Sequence, residues 1–372
     1  MDLKRTLERM VKENASDLHL KAGLPPVLRV DGFLRQLEEP PLSPEELRQV
    51  ALQLMPKDQQ QTFADEKELD FSMGVAGLGR FRVNVYMQRG SVALAMRAIP
   101  FNIKKVDELM LPPITKELAL SNRGLLLVTG TTGSGKSTTL ASMLEFINET
   151  ENRNIITVED PIEFIFRDKK SLISQREIGT DTKTFAAALK HVLRQDPDVI
   201  LIGEIRDKTT LSTALQAADT GHMVFSTLHT LNAPETINRI ISFFPPHQHE
   251  HIRVLLSATL VGVISLRLLP RADGKGRIPA VEVMINNQTI RDYLLDPVKT
   301  LDIPQLIQEG SSQYGMQSFD QSIMKHYRDG LITYETAIQS VTNPDEFKLR
   351  LRGIESTDSR GWDTFDPSTT KK

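Results

Sequence analysis

The sequence contains no cysteine. This absence excludes disulfide bonds, cysteine-ligated zinc and a cysteine nucleophile, and it fits a reducing compartment. No apolar run approaches the roughly 20 residues that span a bilayer. The first residues show neither the apolar segment nor the cleavage site of a signal peptide. We therefore expect a cytoplasmic protein that is not exported.

Basic residues are not in excess either. The 372 residues include 45 Lys and Arg against 48 Asp and Glu, which gives a net charge of -3. A protein that moves along nucleic acid usually carries a basic surplus or stripe. Nucleic acid is therefore not an expected partner, and a DNA-handling motor stays only as an alternative that would need a basic pore lining.

The length of the chain and a proline-rich interruption of its pattern predict two domains. The pattern of the first hundred residues predicts an amphipathic helix at 3–11, short strands at 17–20 and 27–30, and a hairpin formed by 79–86 and 92–97. Prolines then interrupt the pattern between residues 99 and 113. We predict an N-terminal domain over 1–104, a second domain over 105–355 and a polar tail over 356–372.

Apolar strand-like runs alternate with helical patterns in the second domain. The runs are residues 125–129, 155–158, 199–202 and 223–226. This alternation is typical of a mostly parallel sheet that is covered by helices on both faces. The predicted fold class is therefore α/β.

A phosphate-binding loop follows the first of these runs. Residues 130–137 read GTTGSGKS and match the pattern G-x-x-x-x-G-K-S/T in full, between an apolar strand and a helical stretch. Backbone N–H groups of such a loop surround phosphates, its lysine reaches them, and its last hydroxyl holds Mg²⁺. The predicted ATP-binding residues are Gly130, Thr131, Thr132, Gly133, Ser134, Gly135, Lys136, Ser137 and Thr138, with Ser137 also a ligand of Mg²⁺.

Two acidic stretches could supply the remaining chemistry. In residues 198–207, four apolar residues end at Gly203-Glu204, so Glu204 is the predicted acid near the metal, whereas Asp198 precedes the strand. Residues 157–164 run from an apolar strand into three acids, among them Glu163. Glu163 is either a catalytic acid at a strand end or a solvated turn residue.

The roles of several histidines and arginines remain open to more than one interpretation. His229 follows a buried strand and should emerge at the same sheet edge as the phosphates, whereas His222 is either functional or structural. Arg82 and Arg97 are either surface charges or arginine fingers. The roles of His247, His249 and His251 stay open, since no acid accompanies them and a metal site is not expected.

Together these motifs resemble the secretion ATPase superfamily, and within it the type IV pilus twitching-motility (retraction) ATPases. The Walker A, Asp box, Walker B and His box elements of that family match residues 130–137, 158–163, 196–207 and 220–229. Residues 16–20, 79–84 and 315–321 resemble further signatures, so the resemblance covers about residues 1–350.

The resemblance implies a hexameric ATPase whose subunits pair a PAS-like N-terminal domain with a RecA-like core. It implies that Glu163 is the general base, that Glu204 acts near Mg²⁺, and that nucleotide-driven closure moves a membrane platform protein. The implied partners are this platform in the inner membrane and a paralogous pilus ATPase. The further residues that it directs to the nucleotide are His222, His229, Arg82, Arg97 and Arg123.

Two departures qualify the retraction role. The arginine-bearing helix of the retraction group corresponds here to residues 303–309, which read IPQLIQE and lack the arginines. The four-cysteine zinc element and greater length of assembly and type II secretion ATPases are also absent, which favours a retraction or retraction-accessory role. A scaffold subunit that binds ATP without turnover is the remaining alternative.

Overall fold

A computed structural model describes residues 1–30 and 32–352. The chain divides into two compact units. The first comprises Met1–Asn102 together with Pro161–Phe166 and Gly179–Asp181, and the second contains the rest of the described chain from Ile103 onward. The segment around Glu163, which sequence analysis placed in the second domain, thus packs with the first unit. The predicted tail over 356–372 lies outside the described residues.

The first unit is an α/β unit built on one antiparallel sheet. Its helices are α1 (Leu3–Lys12), α2 (Pro44–Leu54) and α3 (Lys57–Glu66). Its strands are β1 (Asp17–Leu20), β2 (Val27–Val30), β3 (Phe33–Gln36), β4 (Glu68–Val75), β5 (Gly79–Gln88) and β6 (Ser91–Ile99). Among the described residues the strand order is β3-β2-β1-β6-β5-β4.

Alternation of buried and exposed side chains defines the first sheet. On β5, Phe81, Val83 and Val85 are buried while the residues between them face outward, as the period of a strand requires. The strands predicted from this alternation are confirmed. Strands β3 and β4 were not predicted because β3 is exposed throughout and β4 buries only Phe71.

Helix α2 begins with a capping box formed by Ser43 and Glu46. The Ser43 side chain accepts a hydrogen bond from the backbone N–H of Glu46, and the Glu46 carboxylate accepts one from the Ser43 N–H at 2.8 Å. This reciprocal arrangement satisfies two backbone donors that a helix start leaves unpaired. The hydrogen bond from the Ser43 N–H also holds the pKa of Glu46 below its usual value.

The second unit surrounds a larger sheet. Its strands are β7 (Gly124–Thr129), β8 (Asn154–Glu159), β9 (Leu172–Glu177), β10 (Val199–Ile202), β11 (Met223–Leu228), β12 (Leu260–Pro270) and β13 (Arg277–Ile285). Its helices are α4 (Ile114–Ala119), α5 (Lys136–Thr150), α6 (Phe185–Val192), α7 (Lys208–Asp219), α8 (Ala233–Ser242), α9 (His249–Thr259), α10 (Gln288–Leu295), α11 (Ile303–Glu309), α12 (Ser311–Tyr314), α13 (Phe319–Arg328), α14 (Tyr334–Ser340) and α15 (Pro344–Leu351).

The order of the strands decides where a ligand can bind. The described strands run β13-β12-β7-β11-β10-β8-β9, and every neighbouring pair except β12 and β13 is parallel. All residues of β7, β10 and β11 are buried, which explains their continuous apolar sequence. The carboxyl ends of the parallel strands therefore meet at one edge of the sheet, where ligands of such folds bind.

No helix within residues 1–30 and 32–352 is long and apolar enough to cross a membrane.

Candidate nucleotide site

The phosphate-binding loop connects the carboxyl end of β7 to the first turn of α5. Gly130, Gly133 and Gly135 have positive φ angles of 139°, 77° and 100°, a backbone conformation that residues with a side chain rarely adopt. The Lys136 ammonium group donates to the carbonyl oxygens of Gly130 and Thr131 at 2.9 and 3.0 Å. The lysine is thereby held over the loop, at the start of a helix whose dipole favours anions.

Gly130 is required by close packing as well as by its backbone angle. A Cβ atom there would lie 2.6 Å from the Leu266 carbonyl oxygen of β12 and 2.5 Å from Ser134 Oγ. The Ser134 hydroxyl is itself buried and has no hydrogen-bond partner among the described residues. The loop thus packs tightly on the neighbouring strand and presents an unpaired hydroxyl beside its backbone.

Glu204 lies at the same edge of the sheet, just after β10. The chain at this point is fixed by two neighbouring strands, because the Gly203 N–H donates to the Val158 carbonyl at 2.8 Å and the Thr227 hydroxyl donates to the Gly203 carbonyl at 2.8 Å. The side chain of Glu204 is 15% exposed. It is therefore a largely shielded carboxylate held at the carboxyl end of β10, which β11 separates from the strand that leads to the phosphate loop.

His229 and Arg206 are the nitrogen-bearing neighbours of Glu204. His229 Nε2 lies 3.3 Å from Glu204 Oε2, and the Arg206 guanidinium forms an ion pair with Oε1. The predicted emergence of His229 at the phosphate edge is confirmed, because it directly follows β11, the neighbour of β7. A shielded acid and a histidine thus stand together near the loop.

Other acids of these stretches have structural roles. Asp207 caps α7, and hydrogen bonds from Thr210, chiefly from its backbone N–H at 2.9 Å, hold the pKa of Asp207 below its usual value. Asp198 accepts the Asn154 N–H at 2.8 Å at the other edge of the sheet. The preference for Glu204 over Asp198 agrees with these positions.

Arg123 and His222 lie at the opposite edge from the phosphate loop. Arg123 precedes β7 and His222 precedes β11, and the Gly124 N–H donates to the His222 carbonyl at 3.0 Å. Six residues of strand, about 20 Å, separate this edge from Gly130. The structure therefore does not bring either residue to the phosphate loop of its own chain. The sequence does not reveal this placement, because a motif shows the order of residues along the chain and not the end of the strand at which each residue lies.

The remaining predicted site residues belong to the first unit. Glu163 is exposed in the segment Pro161–Phe166. Arg97 donates to Asp17 Oδ1 at 2.8 Å, and Arg82 lies 3.8 Å from Asp70 Oδ1. Burial alone would raise the pKa of Asp17, but hydrogen bonds from Ser16 and Arg97 lower it below the usual value. Both arginines thus have carboxylate partners on this sheet.

His247, His249 and His251 surround the start of α9. His249 Nε2 lies 2.8 Å from the carbonyl oxygen of Phe244, which fits a local structural contact. Within the described part of the chain these histidines join no group of three or more metal-ligating side chains.

A cavity of about 620 Å³ opens beside the phosphate loop. Ser134, Gly135 and Thr138 form one wall, and charged residues from the turn of the β12–β13 hairpin form another, namely Arg271, Asp273, Lys275 and Arg277. Its volume is in the range of small-molecule sites. The hairpin residues were not among those predicted from the sequence, although Gly274 and Gly276 between two strand-like runs indicate a turn.

A central parallel strand, a phosphate loop entering a helix and an acid at the end of another parallel strand of the same sheet define a P-loop nucleoside triphosphatase. A family model described as Type II/IV secretion system protein matches residues 1–299. The chain belongs to this family.

Three similar proteins support the same class. The Type IV pilus retractation ATPase PilT of Pseudomonas aeruginosa is 43% identical over 347 residues, which cover 93% of this chain and 100% of that protein. The Type IV pilus ATPase PilU of the same organism is 40% identical over 357 residues, 96% of this chain and 93% of its own length. A crystal structure of the pilus retraction motor PilT with bound ADP matches with a TM-score of 0.86 at 46% identity, covering 93% of this chain and 98% of that one.

These comparisons confirm three predictions. The chain is similar to the twitching-motility ATPases, it has a P-loop core with a smaller N-terminal α/β unit, and it is an ATPase. Nucleotide binding follows from the same findings.

Proposed function

We propose that this chain is the motor of type IV pilus retraction, which hydrolyses ATP to act on a platform protein of the inner membrane. The observation that supports it most is the likeness to the retraction ATPase over 93% of the chain, together with an intact loop and Glu204. The motor acts as a homohexamer at the inner face of the cytoplasmic membrane, and a paralogous pilus ATPase is a second partner.

The proposed metal is Mg²⁺, held by Ser137 and Glu204. Oxygen donors of this kind suit a hard cation, and Glu204 is a shielded carboxylate at the phosphate edge. When bound, Mg²⁺ would neutralise the charge that develops on the phosphates. The chain's own part is to fix the carboxylate between two strands and to hold Lys136 over the loop.

Replacing Glu204 by Gln should lower ATP turnover and raise the Mg²⁺ concentration that gives half-maximal turnover. The amide keeps the shape of the side chain and removes the charge that attracts the cation. The measurement is phosphate release across a Mg²⁺ titration, with Glu250→Gln, at an exposed position of α9, as the matched control. An unchanged Mg²⁺ dependence in Glu204→Gln would assign the metal to another acid.

The other proposed roles are assigned by whether a residue lies at the carboxyl or the amino end of the parallel strands. His229 senses the γ-phosphate within its own chain, since it is adjacent to Glu204. Arg123 and His222 contribute to the nucleotide of a neighbouring subunit, since their own loop is about 20 Å away. Glu163 is the general base, and Arg82 and Arg97 exchange Asp70 and Asp17 for phosphate oxygens during the cycle. The cavity beside Ser134 accommodates the base and ribose.

Deleting the gene distinguishes a retraction motor from an assembly ATPase. A retraction motor should leave cells that carry excess surface pili and do not twitch, because subunits enter the fibre and do not leave it. Electron microscopy of surface pili and twitching assays measure this, with restoration by wild type and not by Lys136→Ala. Cells without pili would indicate an assembly ATPase, and piliated cells that still twitch would indicate an accessory role.

A further inference from the structure

The second unit contains a buried row of polar side chains that the sequence motifs do not include. Glu282 of β13, Ser265 of β12 and Thr129 of β7 stand opposite one another across three neighbouring strands. The Thr129 hydroxyl donates to Ser265 Oγ at 3.0 Å, and the Ser265 hydroxyl donates to Glu282 Oε1 at 3.4 Å. Glu282 is 6% exposed and the other two are fully buried, so the row is shielded from water.

The two ends of this row touch two segments of the nucleotide site. Thr129 is the last residue of β7, and Gly130 of the phosphate loop follows it. At the other end, the backbone N–H of Ala233 donates to Glu282 Oε1 at 2.8 Å. Ala233 is the first residue of α8, four positions after His229. Glu282 Oε1 thus accepts a hydrogen bond from the start of α8 and, through the Ser265 hydroxyl, is linked to the last residue of β7.

A carboxyl group at this position is held at an energetic cost. Burial raises the pKa of Glu282 to about 7, although the Ala233 N–H, Arg267 and Ser265 oppose the rise. A glutamine could accept the same hydrogen bonds without carrying a charge into the interior. The feature that only a glutamate supplies is a negative charge at the start of α8, where the helix dipole favours it.

We propose that Glu282 is a positioning residue for ATP hydrolysis. Glu282 accepts hydrogen bonds from the Ser265 hydroxyl, which is bonded to Thr129 of β7, and from the Ala233 N–H of α8. It thereby fixes the carboxyl end of β7 relative to the start of α8, and so holds His229 in place relative to the phosphate loop. The proposal rests on the role proposed above for His229. Glu282 acts through these two contacts and makes none with the nucleotide.

The proposal makes turnover depend on pH. The charged groups that act on Glu282 are Arg267 of β12, which favours the ionised form, and Asp320 of α13, which opposes it. The partner from β12 is the Ser265 hydroxyl, and from α8 it is the Ala233 N–H. Because the ionised carboxyl accepts more strongly, turnover should rise as the pH increases through about 7.

The same shift predicts an opposite trend in stability. The pKa of Glu282 in the folded chain lies above its ordinary 4.5, so the folded chain binds more protons than the unfolded chain between about 4.5 and 7. Stability contributed by this group is present below that window and is lost as the pH rises through it. Relative to Glu282→Gln, wild type should therefore lose thermal stability between pH 5 and pH 8.

Two variants test the positioning role through kcat and KM for ATP between pH 6 and 8.5. Glu282→Ala should lower kcat about tenfold, as expected for one hydrogen bond to a charged group, with KM changed less than threefold. Glu282→Gln should restore most of kcat at pH 6 but lose the rise through pH 7. Wild-type kcat in Glu282→Ala, or an unchanged rise in Glu282→Gln, would overturn the proposal.

Val281→Ala is the matched control for loss of packing. Val281 is the neighbouring buried residue of β13 and lies outside the polar row. Its truncation should lower Tm while leaving kcat and its pH profile near those of wild type. An equal fall of kcat in Val281→Ala would mean that Glu282 only contributes to general stability.

A double variant with His229→Ala separates this proposal from the one on which it rests. If Glu282 acts through His229, the double variant should lose no more kcat than the more impaired single variant. If His229→Ala is impaired and the two single losses of kcat multiply in the double variant, the role proposed for Glu282 is wrong and that of His229 stands. Full turnover in His229→Ala would instead remove the role proposed for the histidine.

Discussion

Replacing Lys136 by alanine is expected to lower ATP turnover by about 10²- to 10³-fold, the range seen when one preorganised charge-stabilising donor is lost. The Lys136 ammonium lies over the loop, where it donates to the carbonyl oxygens of Gly130 and Thr131. It is therefore placed to bind phosphate oxygens and to balance the charge that develops as the terminal phosphate leaves. The measurement is steady-state phosphate release with Mg²⁺ and ATP on size-fractionated protein.

Lys190→Ala provides the comparison for this substitution. Lys190 is an exposed lysine of α6, so its removal changes the net charge equally without touching the loop. Its turnover should match wild type. Turnover by Lys136→Ala at the wild-type rate would contradict the loop assignment, and a wild-type hexamer that binds ATP without hydrolysis would favour the scaffold alternative.

Glu163→Gln is expected to keep ATP binding and assembly while turnover falls by about 10²- to 10⁴-fold, the usual contribution of a general base. The amide is nearly the same size as the carboxylate but cannot accept a proton from the attacking water. Glu163 is exposed in a segment that follows the carboxyl end of β8, so the substitution should not disturb a core. Nucleotide binding and phosphate release are measured on the same preparation.

Asp160→Asn is the control within the same acidic stretch. Asp160 is likewise exposed and follows Glu159, the last residue of β8. It should retain most of its turnover. If Asp160→Asn loses turnover and Glu163→Gln keeps it, the base is Asp160 and the assignment from the motif is wrong.

Four parallel strands of the second unit, β7, β8, β10 and β11, could be predicted because burial on both faces leaves a continuous apolar run. Strands β7, β10 and β11 are such runs, and each is buried along its whole length. Strand β9 was missed because it lies at the edge of the sheet and reads LISQRE, with only its last residue buried. An edge strand gains its pairing from one neighbour, so its sequence carries little of the signal.

The candidate site was predictable where it depends on short-range order. The loop residues and Lys136 follow from one contiguous pattern, and His229 follows from a strand that ends beside β7. The register between strands was not predictable from the sequence. For that reason the buried polar row from Thr129 to Glu282 was not predicted. Its members lie 136 and 17 positions apart along the chain, and only the pairing of β7, β12 and β13 brings them together.

The placement of Arg123 and His222 bears on how many complete active sites an assembly contains. If these residues serve a nucleotide as proposed, they do so at a junction between two copies, because they lie at the edge opposite Gly130. Active sites would then be counted by junctions and not by chains. An open row of subunits always has one junction fewer than it has chains, so closing the row into a ring completes the last site without adding a subunit.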